Sequence, residues 1–160
     1  MRTILFSFLS IALVLHTGCG GGDSGRRADM PKVYPVKITI KQDGTALQDA
    51  SVTLTAETPS KYGSSGITDA SGVAVIRTYG FAGAPEGTYT ITVSKQGVEG
   101  ATEAKDAEGN TYQTGGKVYE YVDAKYRQAD TSDLNMEVTT KGATAEFDVG
   151  APVHVFISDN

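Results

Sequence analysis

Cysteine is all but missing from this chain: Cys19 is the only one in 160 residues. No intramolecular disulfide can form, and a four-coordinate zinc site, which draws mainly on Cys and His, lacks ligands. Histidine occurs only as His16 and His154, and tryptophan is absent. A serine nucleophile needs a histidine base oriented by a third group, so this inventory points away from hydrolytic chemistry. The expectation is a protein that is not an enzyme and uses no cofactor and no metal. The formal charge is −5, with 14 Lys and Arg against 19 Asp and Glu. With no basic stripe interleaved with aromatics, nucleic acid is not an expected partner, because phosphate binding loses its electrostatic driving term. No apolar run approaches the ~20 residues that a spanning helix needs.

What is present at the N-terminus is a shorter apolar run. After Arg2, residues 4–15 are apolar except for Ser7 and Ser10. That length suits the hydrophobic region of a signal peptide. The run ends in Thr17-Gly18-Cys19, which resembles the bacterial lipobox, where lipid is attached to the cysteine and a dedicated peptidase cuts before it. The resemblance implies cleavage between Gly18 and Cys19 and acylation of Cys19. His16 stands where that motif usually has leucine, with Leu15 one place further out. The alternative is an ordinary secretory signal with Cys19 incidental. A lone thiol in an oxidising exported compartment would be a liability, and lipidation gives it a use.

Residues 1–18 are thus expected to be a lipoprotein signal peptide, and residues 19–31 a lipidated cysteine followed by a tether. Gly20, Gly21, Gly22, Asp23, Ser24 and Gly25 carry no apolar side chain, and such a segment cannot offset its ordering entropy by burial. A dozen such residues reach roughly 20 Å. Arg26 and Arg27 are read as solvated rather than as a headgroup contact. Without the first 18 residues, 13 basic and 19 acidic side chains leave a charge of −6. The remaining 142 residues suit one domain with its own core.

Residues 32–160 read as that domain, and the dominant pattern is period-2 alternation. Val36, Ile38 and Ile40 alternate with Lys37, Thr39 and Lys41, and Ala50, Val52, Leu54 and Ala56 with Ser51, Thr53, Thr55 and Glu57. Tyr89, Ile91 and Val93 alternate with Thr90, Thr92 and Ser94; Ala145, Phe147 and Val149 alternate with Glu146 and Asp148. Shorter strands are expected at 66–68, 73–78 and 153–157. Asp43-Gly44 and Asp69-Ala70-Ser71-Gly72 have turn chemistry, and 58–65 reads as a polar loop. About seven short strands with turn signals between them argue for an all-β, antiparallel sandwich.

Between residues 97 and 133 the alternation weakens, and this stretch reads as a long Tyr-rich insertion holding one hairpin. Tyr112, Tyr119, Tyr121 and Tyr126 are its candidate binding patch; the alternative is that they cap one end of the sandwich. Long loops in compact domains are often functional. Asp106, Glu108 and Asn110 alternate as calcium ligands do, yet no full twelve-residue loop follows, and a solvated acidic turn is the preferred reading. His154 is read as structural. An intramolecular Lys–Asn isopeptide bond is not expected, since the terminal strand offers Asp148 in place of asparagine.

Four segments in order, Val36-Lys-Ile-Thr-Ile, Asp43-Gly-Thr-Ala-Leu-Gln-Asp-Ala-Ser-Val-Thr-Leu, Thr68-Asp-Ala-Ser-Gly-Val and Pro85-Glu-Gly-Thr-Tyr-Thr-Ile-Thr-Val, resemble the carboxypeptidase regulatory-like domain. The resemblance implies an Ig-like or prealbumin-like (transthyretin-like) sandwich. The run Ala124-Lys-Tyr-Arg-Gln-Ala-Asp-Thr-Ser-Asp-Leu, then Val138, Lys141-Gly142 and Glu146-Phe-Asp-Val, also resembles small envelope lipoproteins of planctomycete-type bacteria, with Ala129 in place of a proline and Asp133 in place of a glycine. The combined reading is a non-catalytic protein, lipid-anchored through Cys19 in the bacterial cell envelope, with the outer membrane ahead of the inner. It would act as a structural or protein-binding module for an envelope protein or an extracellular polymer. The alternative is an accessory domain of a transport or polysaccharide-degradation system that binds glycan through the Tyr-rich loop.

Overall fold

A computed structural model describes residues 29–159. Gly18, Cys19, the rest of the expected signal peptide and residues 20–28 of the expected tether lie outside the described residues. Among those described, the regular structure is strand, apart from one 3-10 turn at Ala124–Tyr126.

The core is built from the three runs whose alternation is cleanest. In β1 (Val36–Gln42), Val36, Ile38 and Ile40 are buried while the residues between them face outward. A two-residue strand β2 (Thr45–Ala46) folds back on β1 through the Asp43-Gly44 turn, where both residues have positive φ, as a tight right-twisted hairpin demands. In β3 (Ser51–Ala56), Val52 and Leu54 point inward. β4 (Ser64–Ile67) pairs with β3, β5 (Val73–Val75) pairs with β1, and the chain then crosses between sheets at the fully buried Ile76. β6 (Arg77–Thr78) and β7 (Phe81–Ala82) extend the second sheet. β8 (Gly87–Ser94) buries Tyr89, Ile91 and Val93 and pairs with β3 along six residues. The Tyr89 hydroxyl donates to the Pro85 carbonyl at 2.9 Å at the rim, and burial raises its pKa above the ordinary tyrosine value.

Beyond β8 the chain leaves the core. β9 (Gln96–Glu99), β10 (Thr102–Lys105), β11 (Thr111–Thr114) and β12 (Lys117–Glu120) run out and back as one long arm. The chain returns at the buried Val122, and β13 (Asn135–Val138) pairs with β8. β14 (Ala143–Asp148) lies beside β1, and β15 (Val155–Asp159) ends the chain. The two sandwich sheets are β14-β1-β2 with β5 on β1, and β13-β8-β3-β4-β6-β7. Their inner faces supply one core that includes Ile38, Ile40, Val52, Ile91, Val93 and Val138.

Three expectations change in detail. The sandwich is not wholly antiparallel, because β1 and β14 run parallel over six residues. The one hairpin expected within residues 97–133 is present as the arm, whose two ladders continue a single register over 96–120, but the insertion does not extend to 133: the chain is back on the core at the buried Val122. The last apolar run is not a sandwich strand: β15 pairs with β12, so Val155, Phe156 and Ile157 stand exposed. Asp148 clamps the sandwich end instead. Its carboxylate accepts the N–H groups of Gly44 (2.8 Å), Gly150 (2.8 Å) and Asp43 (3.2 Å), bonds led by Gly44 that lower its pKa.

Thr68 carries a buried polar link between loop and sheet. Its hydroxyl donates to the Leu47 carbonyl at 2.6 Å and accepts from the Ala50 N–H at 2.8 Å, with 1 % of the residue exposed. Thr68→Val keeps the shape and strands both partners in the interior. The expected loss is about 1–3 kcal/mol in a urea melt.

Candidate functional site

The arm places side chains that lie far apart in sequence on one small sheet, ordered β15-β12-β9. Both edge strands pair antiparallel with β12: Val98 faces Val118 and Gly97 faces Tyr119 on one side, and Val155 faces Glu120 and Phe156 faces Tyr119 on the other. Because alternate residues point to opposite faces, the register sorts the arm into two surfaces. One carries Val98, Val118 and Val155. The other carries Glu99, Tyr119 and Phe156, joined by Tyr121 and His154.

On this second face the contacts are close. The imidazole of His154 stacks on the Tyr119 ring, with centroids 4.0 Å apart and planes 12° apart, and Phe156 meets Tyr119 edge-on at 6.0 Å. Glu99 Oε1 accepts the Tyr121 hydroxyl at 2.7 Å and lies 3.0 Å from His154 Nε2. One carboxylate oxygen thus ties β9, β12 and the segment entering β15. The Tyr121 hydroxyl, and after it His154, hold the Glu99 carboxyl below the ordinary carboxylate range; the same hydrogen bond raises the Tyr121 pKa.

A folded pKa below the unfolded one stabilises the fold at pH values above the unfolded value, about 4.3 for glutamate, and that contribution disappears as pH falls through the folded value. The Glu99 tie within the arm is therefore expected to weaken as pH falls through the folded value. Carbon NMR of the Glu99 carboxyl should give a midpoint below the ordinary glutamate value, and Tyr121→Phe should move it back upward. A midpoint unchanged by Tyr121→Phe would exclude this hydrogen bond as its cause.

At the arm's base, Glu120 is completely buried. Its Oε1 accepts the Lys95 N–H at 2.7 Å and the Val122 N–H at 3.2 Å, at the point where β8 passes into β9 and β12 returns to the core, while Oε2 has no partner. Beside the base lies a cleft of about 340 Å³ lined by Gln42, Lys95, Gln96, Gly97, Tyr121 and Pro152.

Of the four candidate tyrosines, the structure brings Tyr119 and Tyr121 together and leaves the others elsewhere. Tyr112 is on β11 in the outer ladder, 50 % exposed. Tyr126 packs half-buried against the core, with Lys125 Nζ 5.1 Å from its ring centre. His154, Glu99 and Phe156 complete the cluster, and their alignment depends on pairings that no local pattern announces. Asp106 and Asn110 close the turn at the arm's tip: the Asp106 carboxylate accepts the Asn110 N–H at 2.7 Å and its Nδ2 at 2.9 Å. Among the described residues, no three His, Cys, Asp or Glu side chains gather as a metal site.

A larger cleft of about 610 Å³ opens at the other end of the sandwich, beside Asp29 and the Lys61 with which it pairs. Pro59, Tyr62, Glu86 and Tyr89 are among its walls. It lacks histidine, so no Ser–His pair can form there. Fold and site together define an all-β sandwich protein carrying a structured aromatic arm. In comparison with known proteins, the chain matches no family model, no curated protein and no solved structure.

Proposed function

We propose that this chain is a non-catalytic lipoprotein of the bacterial cell envelope, anchored through Cys19, whose sandwich serves as a structural or protein-binding module and whose arm is the contacting element. The resemblance of its strand and turn motifs to the carboxypeptidase regulatory-like domain supports the non-catalytic reading, and the lipobox-like Thr17-Gly18-Cys19 supports the anchor.

The observation that carries the contact role is the exposure of apolar side chains on the arm. Val98 (49 %), Val155 (44 %), Phe156 (51 %) and Ile157 (42 %) have no core behind them, and β15 is an edge strand. Apolar edge strands are places where another chain adds on or packs. A photo-crosslinking amino acid placed at Val155 in the full chain in its native envelope tests this. A discrete adduct that disappears on Val98→Asp, together with no adduct from the exposed Ile67 on the sandwich, is expected. Adducts from Ile67 alone, or an adduct at Val155 indifferent to Val98→Asp, would overturn it.

A further inference from the structure

The two faces of the arm differ in chemistry, and the difference separates two kinds of ligand. The Val98–Val118–Val155 face is aliphatic. The opposite face combines aromatic rings, a fixed carboxylate and, next to them, a cleft rimmed by amides. We propose that this second face, together with the 340 Å³ cleft at its base, is a binding site for a neutral saccharide. The proposal rests on the reading of the arm as a contacting element and names the ligand class for its aromatic side.

Ring surface comes first. Stacking on Tyr119 and the contact with Glu99 hold His154 in place, and Phe156 meets Tyr119 edge-on, while 53 % of the His154 side chain and 51 % of Phe156 remain exposed. A pyranose presents a flat patch of C–H groups that packs on such rings, and rings already held by their neighbours lose little entropy when a ligand arrives. Gly97 contributes by having no side chain. A Cβ there would stand 3.0 Å from Tyr121 Cε2 and 3.2 Å from its hydroxyl, so the Tyr121 ring lies close against the strand only because position 97 is glycine. The phenol thereby becomes part of the cleft wall, which Pro152 also lines.

Polar matching comes second. Gln42, in the cleft wall, carries an amide that both donates and accepts, as sugar hydroxyls do. Gln42 Nε2 already donates to the Tyr121 carbonyl at 2.8 Å, which fixes the side chain and directs its oxygen elsewhere. Glu99 spends Oε1 on Tyr121 and His154, so Oε2 remains to accept a ligand hydroxyl. An apolar floor with a few convergent polar groups is the general form of a small-molecule site, and this cleft is within the usual size range.

Charge decides between sugars. The Glu99 carboxylate sits within the face and the whole chain carries −5; Lys95 in the cleft wall offsets this in part, and the net negative balance favours a neutral glycan over uronates and sulfated glycans.

The experiment uses the purified full chain; with no tryptophan present, tyrosine emission is the fluorescence signal, and two of the eight tyrosines, Tyr119 and Tyr121, lie on this face. It is titrated with cellohexaose, maltohexaose, an N-acetylglucosamine tetramer and hexagalacturonate, by calorimetry and fluorescence. At least one neutral oligosaccharide should bind, with hexagalacturonate weaker by about tenfold or more. Tyr121→Ala and His154→Ala should each weaken binding by about tenfold, Glu99→Gln by roughly threefold, and Tyr112→Ala should leave it unchanged. Glu99→Gln preserves side-chain shape and keeps the test decisive if an alanine variant fails to fold. Absence of saturable binding by every neutral probe up to about 10 mM, or binding that survives both Tyr121→Ala and Glu99→Gln, would overturn the proposal. Crosslinking from Val155 together with no saccharide binding would leave the protein-contact reading standing and remove this one.

Discussion

Gly83→Ala is expected to destabilise the sandwich by roughly 2–6 kcal/mol, combining a disfavoured backbone conformation with a backbone clash. Gly83 has φ of +117°, and a Cβ there would run into the Tyr34 carbonyl. Neither partner can yield cheaply. Residue 34 is bridged to Ala84 by bonds of 2.8 and 3.0 Å, the Gly83 N–H donates to the Ile76 carbonyl at 2.7 Å, and its own carbonyl accepts the buried Thr78 hydroxyl at 2.7 Å. Thr78 in turn bonds Ser64 at 2.7 Å, so a shift of the Gly83 backbone disturbs a buried polar network as well. Gly80→Ala is the matched control. Gly80 has φ of +89° but no heavy atom within 4 Å of a Cβ, so only the conformational cost of about 1–2 kcal/mol applies. Urea melts of the two variants should differ by the clash alone. Equal losses would show that the Tyr34 crossing moves aside.

Glu120→Ala is expected to cost about 2–4 kcal/mol, and the loss should be concentrated in the arm. The substitution removes the acceptor for the Lys95 and Val122 N–H groups, both at the junction between arm and sandwich. Unpaired buried donors are what make such a change expensive, and opening the junction to water is the easiest relief. Hydrogen exchange should therefore lose protection across 96–120 and 155–159, while β1, β3 and β8 keep theirs. Uniform loss across the chain would mean that arm and sandwich unfold as one unit. Glu120→Gln keeps an acceptor oxygen and should fall between the two.

The strands legible in the sequence are those with one wet and one dry face. Val36, Ile38 and Ile40, or Tyr89, Ile91 and Val93, each have 4 % exposure or less, and burial at every second position is what writes a period of two into the sequence. The arm leaves no such trace. All of Thr111–Thr114 and Val155–Asp159 is exposed, so no pressure alternates their side chains, and β-branched or aromatic content remains as the only hint. β13 is short, and its inward Met136 and Val138 are separated by a single glutamate, too few repeats to declare a strand. The site was half legible for the same reason. Tyr119 and Tyr121 belong to one strand and its exit and stand out in the sequence as tyrosines of a segment whose alternation weakens. Glu99 and His154 reach them through two different edges of β12, and pairing across edges is a property of topology rather than of local sequence. His154, near Asp159 in sequence, takes Glu99 as its partner in space.

The proposed lipid anchor on Cys19 is tested most directly by the intact mass and N-terminal peptide of the native protein extracted from its envelope. The account predicts a chain beginning at Cys19 with a diacylglyceryl group on that residue, and release of the Cys19→Ser variant from the membrane fraction. A native chain with an unmodified Cys19, or a Cys19→Ser variant that stays membrane-bound and still incorporates labelled fatty acid, would contradict it.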